Sequence, residues 1–306
     1  MAAETDKDRA APPLRHWPPR QPVRPLACVT MARNEAFFLE IWARYYLGEE
    51  PDAQLYILDH ASSEDVKHGL VERIGPAAEQ AIHVVPLPDV PFDVEYKAAA
   101  LTAFANTLVH CFAQVIASDA DEIVLTAPGV RGGLMDVLGR VKGRWLRPLG
   151  YNFQQIDGIE APFDPARPLL EQRSYGTFSS VFTKPAVWRD YNAFGPGQHR
   201  SQHRAAFTRQ LVLAHLKNID AGEHNRRAGQ RREIAYSDHH WGRGYGRQWR
   251  GGGTRKALQA REEELAALQT YGEVAPGFIE ELRAAVADDV ALVGATAWSS
   301  PLTRFA

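Results

Sequence analysis

Val109-His110-Cys111-Phe112-Ala113-Gln114-Val115-Ile116-Ala117 leads directly into Ser118-Asp119-Ala120-Asp121-Glu122, an apolar run followed by three carboxylates in four positions. Such a run reads as a buried strand, which places the acids at its carboxyl end, where open α/β sheets form their ligand crevice. In extended chain Asp119 and Asp121 point to the same side, so both can face one Mg²⁺ or Mn²⁺ that carries phosphate oxygens. Glu122 points the other way. Taken alone, Asp-x-Asp reads more plainly as a solvated acidic turn, so the flanking sequence has to decide.

Working outward, alternating elements surround the acidic stretch. Leu26 to Met31 predicts a first buried strand, and Asn34 to Leu47 places Phe37, Phe38, Ile41, Trp42, Tyr45 and Tyr46 at helical spacing. Gln54 to Leu58 is a second strand ending at Asp59, with Ser62 or Ser63 as cap of a helix reaching Ile74. Ala81 to Leu87 is a third strand, Tyr96 to Cys111 a long helix, and Phe112 to Ala117 the fourth strand. This order predicts an α/β fold, a mostly parallel sheet flanked by helices, with polar residues delivered to one edge by the first, second and fourth strands.

Composition narrows the classes. A chain of 306 residues with 45% hydrophobic content can bury a sizeable core, and a net charge of -2 without a dense basic tract beyond Arg226-Arg227 and Arg231-Arg232 argues against nucleic acid as a partner. Eighteen consecutive apolar residues occur nowhere, so no integral membrane segment is expected; a weak peripheral membrane contact stays open. Cys28 and Cys111, each in an apolar segment, read as buried thiols of a reducing compartment, and the expected location is cytoplasmic. The expected organisation is a disordered leader over 1–24, rich in proline and charge, and an α/β domain over 25–253 made of two halves, 25–127 and 128–253. A helical appendage over 254–306 follows, in which Pro276-Gly277 separates two amphipathic helices.

Several fragments then occur in an order that resembles family 2-like glycosyltransferases. Met31-Ala32-Arg33-Asn34-Glu35 with Trp42 and Tyr45-Tyr46 resembles the family's opening, and Tyr56-Ile57-Leu58-Asp59-His60-Ala61-Ser62-Ser63-Glu64-Asp65 its strand-plus-turn segment, with His60 and Ser63 departing from it. Lys97 and Asn106 stand where the family often carries polar residues, and Ser118 to Glu122 matches its metal-binding Asp-x-Asp motif. Val181-Phe182-Thr183-Lys184-Pro185 is similar to a strand with a basic residue before proline. Leu213-Ala214-His215-Leu216-Lys217-Asn218 resembles a histidine segment, from which Leu216 and Asn218 depart.

The resemblance implies a GT-A fold and transfer of a hexose from a nucleotide sugar, with uridine diphosphate expected, to a saccharide or glycoconjugate acceptor, as in polysaccharide biosynthesis. It also implies a Mn²⁺ or Mg²⁺ cofactor bound directly by Asp121, with Asp119 on the ribose or reaching the metal through water. Thr30, Arg33, Asp59 and Lys97 complete the expected nucleotide-sugar contacts.

Other residues extend these expectations. His215 ends the apolar run Leu211 to Ala214, and from a strand end it can return to the metal beside Asp121; a hydrogen-bonded core histidine is the plainer reading. His199, in the Gly195-Pro196-Gly197 loop, is a weaker candidate for the pyrophosphate. An inverting transfer needs a carboxylate base; the sequence offers Asp157, Glu160, Glu171, Asp190 and Asp220, of which Glu171 and Asp190 are put forward, with a surface salt bridge the plainer reading of Glu171. Trp145, Tyr151 and Phe153 are either an aromatic acceptor platform or a half-buried strand. Asp238-His239-His240-Trp241, and the glycines and arginines from Gly242 to Gly253, read as a loose substrate-covering loop. Two competing functions remain: a metal-dependent phosphoryl or nucleotidyl transferase, against which the missing phosphate loop counts, and a non-catalytic nucleotide-sugar-binding protein.

Overall fold

Alternate residues of β1 (Arg24–Ala32) go to opposite sides: Leu26 and Cys28 join one apolar cluster, while Ala27, Val29 and Met31 join another. An unbroken apolar strand is stable only when both of its faces are covered. The computed structural model describes residues 22–127, 129–155, 160–173, 175–243 and 299–304. After β1 come α1 (Ala36–Glu49), β2 (Gln54–Asp59), α2 (Val66–Ile74), β3 (Ile82–Pro86), α3 (Val94–Cys111) and β4 (Phe112–Ala117). Strands β3-β2-β1-β4 pair in parallel. Phe38, Trp42 and Tyr46 of α1 cover one face, and Leu101, Ala105 and Val109 of α3 cover the other. The α/β class and the helix-flanked parallel sheet expected from the alternation are present.

Past the acids the chain forms β5 (Glu122–Thr126), α4 (Leu134–Arg140), β6 (Trp145–Gln154), α5 (Leu169–Gln172), β7 (Tyr175–Ser179), β8 (Val187–Trp188), β9 (Ala206–Asn218), α6 (Ala221–Glu233), α7 (Asp238–Gly242) and β10 (Ser299–Arg304). Pairing here is largely antiparallel: β8 lies between β4 and β6, β7 between β6 and β10, and β9 pairs with β5, whereas β6 and β9 run parallel. All ten strands belong to one sheet. Tyr46 on α1 ties its halves together, its hydroxyl accepting from the Val124 N–H at 2.9 Å.

Some local expectations change. Asp65, not Ser62 or Ser63, caps α2 by accepting from the His68 N–H, because both serines are engaged with Asp59 and Asn34. Val181 to Pro185 is not a strand: Ser180–Phe182 is a 3-10 turn that lies on β6 at Gly150, where an added Cβ would stand 2.3 Å from the Phe182 carbonyl carbon. Cys111 ends α3 exposed, whereas Cys28 is fully buried. Tyr151 and Phe153 are core residues, and Trp145 stacks on His203, which favours the strand reading over an acceptor platform. Asp238 to Trp241 is helical, docked through a Ser237 N–H bond to the Phe92 carbonyl and a His239–Glu95 contact at 3.1 Å. Residues 1–21 of the expected leader, the Gly/Arg-rich stretch from Gly244 and the expected helical hairpin lie outside the described residues. Among the described residues no helix is long and apolar enough to cross a membrane.

Candidate active site

The polypeptide must turn at the end of β4, because β4 and β5 pair with different strands. The Glu122 N–H closes that turn on the Asp119 carbonyl at 2.9 Å. The extended geometry expected for Asp119-Ala120-Asp121 is therefore replaced by a tight turn, and its three acids reach different partners. Asp119 meets Lys97 at 2.5 Å and accepts from Gln198 Nε2 at 2.8 Å. Asp121 accepts from Arg227 Nη1 at 2.7 Å. Glu122 pairs with Lys184 at 2.8 Å, and both side chains are almost fully buried.

Strand register puts His215 beside these acids, since it lies opposite Glu122 on β5 and Asn152 on β6. With Asn152 Oδ1 accepting at 2.8 Å, Nδ1 carries the ring proton and Nε2 keeps its lone pair, 3.8 Å from Asp121 Oδ2. Phe182 stacks on the imidazole with centroids 3.8 Å apart. Burial pushes His215 down to about 3, so the ring is neutral at ordinary pH. Burial also opposes the Asp121 charge, yet the Arg227 guanidinium holds this carboxyl well below the ordinary carboxylate range. Glu122 behaves oppositely, pushed up to about 7 by burial against the pull of Lys184.

Arg227 enters from α6, whose amino end is capped by Asp220 accepting the Glu223 N–H at 2.8 Å. Its Nε and Nη2 both reach Glu35 Oε1, at 3.0 and 2.8 Å, and its guanidinium lies 4.4 Å from the Phe38 ring centroid. The other oxygen, Glu35 Oε2, is buried without a hydrogen-bond partner among the described residues. A cavity of about 450 Å³ opens beside this group, walled by Arg33, Asn34, Glu35, Asp89, Arg227 and Arg231 at the carboxyl edge of the parallel strands. On the far side of Asn34 and Glu35, a second cavity of about 470 Å³ is bounded by the β2–α2 turn and by Arg226.

The expected site residues separate accordingly. Asp119, Asp121, His215 and Lys97 converge, and Arg33 stands on the cavity rim, paired with Asp89 at 2.7 Å. Asp59 sits at the β2 end and organises the turn, accepting from the Ser62 N–H and hydroxyl at 3.2 and 2.5 Å. Thr30 is a correction: fully buried within β1, it cannot reach a nucleotide. Asp190 is another, because β8 runs antiparallel to β4 and carries it toward the opposite edge of the sheet from the acidic turn. Glu171 is exposed and paired with Arg167 one turn away on the surface at 3.7 Å, the alternative reading of that residue. His199 gives its ring to the Val181 carbonyl at 2.8 Å.

Arg227, Lys184, Glu35, Asn152 and Gln198 complete the group and escaped sequence assignment. Gln198 has left-handed backbone, φ 61°, next to Gly197 at φ 67°, and is 2% exposed; a non-glycine residue held there is a strained position. The available signal for Arg227 was spacing: Glu223, Arg227 and Arg231 recur every four residues behind a capping aspartate.

The donor set fits a divalent cation. Asp121 offers a carboxylate, His215 a neutral imidazole nitrogen whose other nitrogen is held by a hydrogen bond, as histidine ligands usually are. Among the described residues no third histidine, cysteine or carboxylate joins them in a closed cage, which leaves remaining positions to substrate oxygens, the usual arrangement for Mg²⁺ with phosphates.

No family model and no curated protein matches the chain. Among solved structures, the mannosyltransferase PcManGT from Pyrobaculum calidifontis in complex with GDP-Man and Mn²⁺ is similar at 12% identity and a TM-score of 0.38, over 90% of this chain and 88% of that one. An active-site mutant of LgtC is similar at 19% identity and a TM-score of 0.28, over 42% of this chain and 46% of that one. Galactosyltransferase LgtC in complex with donor and acceptor sugar analogs gives 18% and 0.27, over 45% and 55%. The chain thus matches about half the length of each LgtC structure.

Proposed function

We propose that this chain is a metal-dependent glycosyltransferase that moves a sugar from a nucleotide sugar to a saccharide or glycoconjugate acceptor. The observation that supports it best is the pairing of a neutral His215 nitrogen with the Asp121 carboxylate, 3.8 Å apart, beside a cavity with arginine on its walls. Mn²⁺ or Mg²⁺, when bound by these two residues, offsets the charge that gathers on a leaving nucleoside diphosphate.

The chain's own groups set the geometry. Asn152 and Phe182 fix the His215 ring, so its lone pair faces Asp121 without a rotational search. Lys97 and Gln198 orient Asp119 as the ribose-side acid. Arg33 stands on the rim of the cavity proposed for the nucleotide, and Asp59 braces the neighbouring β2–α2 turn. Uridine diphosphate sugars are the first donors to test. Calorimetry with UDP- and GDP-sugars, with and without Mn²⁺, is expected to give binding that strengthens with metal, followed by release of nucleoside diphosphate in the presence of acceptor glycans. Nucleotide binding indifferent to metal would sink the reading.

A further inference from the structure

Arg227 occupies the same Asp121 oxygen, Oδ2, that faces the His215 lone pair, at 2.7 Å. A cation held by Asp121 and His215 would contend for that oxygen, the one the imidazole nitrogen faces. Two positive charges on one carboxylate oxygen repel each other, so guanidinium and divalent cation compete. The arginine also has an alternative position. Its Nε and Nη2 already rest on Glu35 Oε1, Phe38 lies under its guanidinium, and among the described residues Glu35 Oε2 is buried without a hydrogen-bond partner. A small rotation that exchanges Asp121 Oδ2 for Glu35 Oε2 converts a split guanidinium into a two-oxygen pair with one carboxylate, the geometry arginine favours.

We infer that Arg227 is a built-in competitor of the divalent cation: with the cation absent it holds Asp121, and cation binding drives it onto Glu35. This rests on the glycosyltransferase reading of Asp121 and His215. In this arrangement the buried carboxylate is never left without a counter-charge, which a buried anion requires. Asp121 is thereby kept in place before the donor arrives, and a displaced Arg227 stays on the wall of the cavity beside Arg33 and Arg231.

Two variants of the full chain predict opposite outcomes. Removing the competitor in Arg227→Met is expected to tighten Mn²⁺ binding without nucleotide by about ten- to a hundredfold, the scale of one charge-assisted hydrogen bond. Glu35→Gln keeps an acceptor but removes the charge that receives Arg227, so Mn²⁺ binding weakens by about tenfold. Mn²⁺ affinity is read from the paramagnetic resonance signal of free ion, with thermal unfolding alongside: Mn²⁺ should raise the Tm of Arg227→Met more than that of the wild type. If Arg227→Met does not fold, Glu35→Gln alone decides through the sign of its effect. Unchanged affinity in Arg227→Met, or tighter binding in Glu35→Gln, overturns the competition while leaving the metal reading intact. Absence of Mn²⁺ binding in every form, with nucleoside diphosphate present, overturns both.

Discussion

The region from β1 to the acidic turn supplies the carboxylates, whereas most of the groups that hold them come from the antiparallel region that follows. Glu35, Asp59, Asp119 and Asp121 sit at the ends of strands or start of a helix in a repeated β-α pattern. Lys184, Gln198, His215 and Arg227 arrive from the segment after the Ser180–Phe182 turn, a strained 3-10 turn, a long strand and a polar helix. The separations are large: Arg227 lies 192 residues from Glu35 and 106 from Asp121, and Gln198 lies 79 from Asp119. Among the described residues, Lys97 is the one cation that pairs with the acidic turn from within the first region. The difference teaches that the first region can define a crevice, but its charge balance is fixed only when the second closes over it.

The strongest way to sharpen this contrast lies within the turn itself. Asp121→Asn removes the one acid shared by Arg227 and His215, and sugar transfer is expected to fall by about a thousandfold, since metal-based charge stabilisation amounts to several kcal/mol. Asp119→Asn should cost on the order of tenfold, because Lys97 and Gln198 still reach that side chain and one hydrogen bond to a charge is lost. Transfer rates at saturating Mn²⁺ separate the two. Equal losses would show that the turn acts as a single acidic patch.

Lys184 tests whether the second region stabilises the first. Lys184→Met leaves Glu122 buried without its cation, an expected loss of about 3–5 kcal/mol in denaturant unfolding. Adding Glu122→Gln should recover part of that, so the double variant is more stable than the sum of the singles predicts. Additive effects would mean the pair is incidental. Gly150→Ala attacks the same support from beneath, because its Cβ would meet the Phe182 and Thr183 backbone at 2.3 and 2.5 Å. Overpacking of this kind costs about 1–3 kcal/mol, and the shifted turn should loosen Phe182 from His215. Ring-proton shifts of His215 in NMR report that movement.

How much of this was readable in the residues follows the same division. β1, β2 and β4 announced themselves through short apolar runs, and Asp59, Asp119 and Asp121 through their place after those runs, because parallel strands buried on both faces carry a local signal. His215 was singled out by the same rule, although β9 runs on past it to Asn218. Arg227 was not, since a buried charged face on a helix of mean polar character has no apolar period to read. Gln198 was missed because its position depends on two successive left-handed residues, Gly197 and Gln198, and Lys184 because it is recognisable only beside the acid it neutralises. Thr30 shows the converse: a residue at the right strand end was expected to face the nucleotide, but the alternation of β1 turns it into the core.

The smallest expected effect belongs to a residue that joins the two regions through one carboxyl group. Asp93 caps α3, its Oδ1 accepting from the Glu95 N–H at 2.7 Å and the Tyr96 N–H at 3.3 Å, while Oδ2 accepts from the Ser237 hydroxyl at 2.5 Å. Burial pushes this carboxyl up, but the Ser237 and backbone hydrogen bonds outweigh it and leave the group below its ordinary value. Asp93→Asn should cost about 1 kcal/mol, the scale of a weakened helix cap. The pH dependence gives the sign. A carboxyl whose folded value lies below the unfolded value of about 3.9 contributes its full stability above that value, and loses it as pH falls through the folded one. The gap between wild type and Asp93→Asn, measured by urea unfolding, should therefore be constant from pH 5 to 7, within about 1 kcal/mol, and shrink as pH falls below the unfolded value of about 3.9. A gap that persists unchanged at low pH would mean that Ser237 and α3 gain nothing from the charge, and that α7 is held to the first region by its other contacts, the backbone bonds to Phe92 and the His239–Glu95 pair.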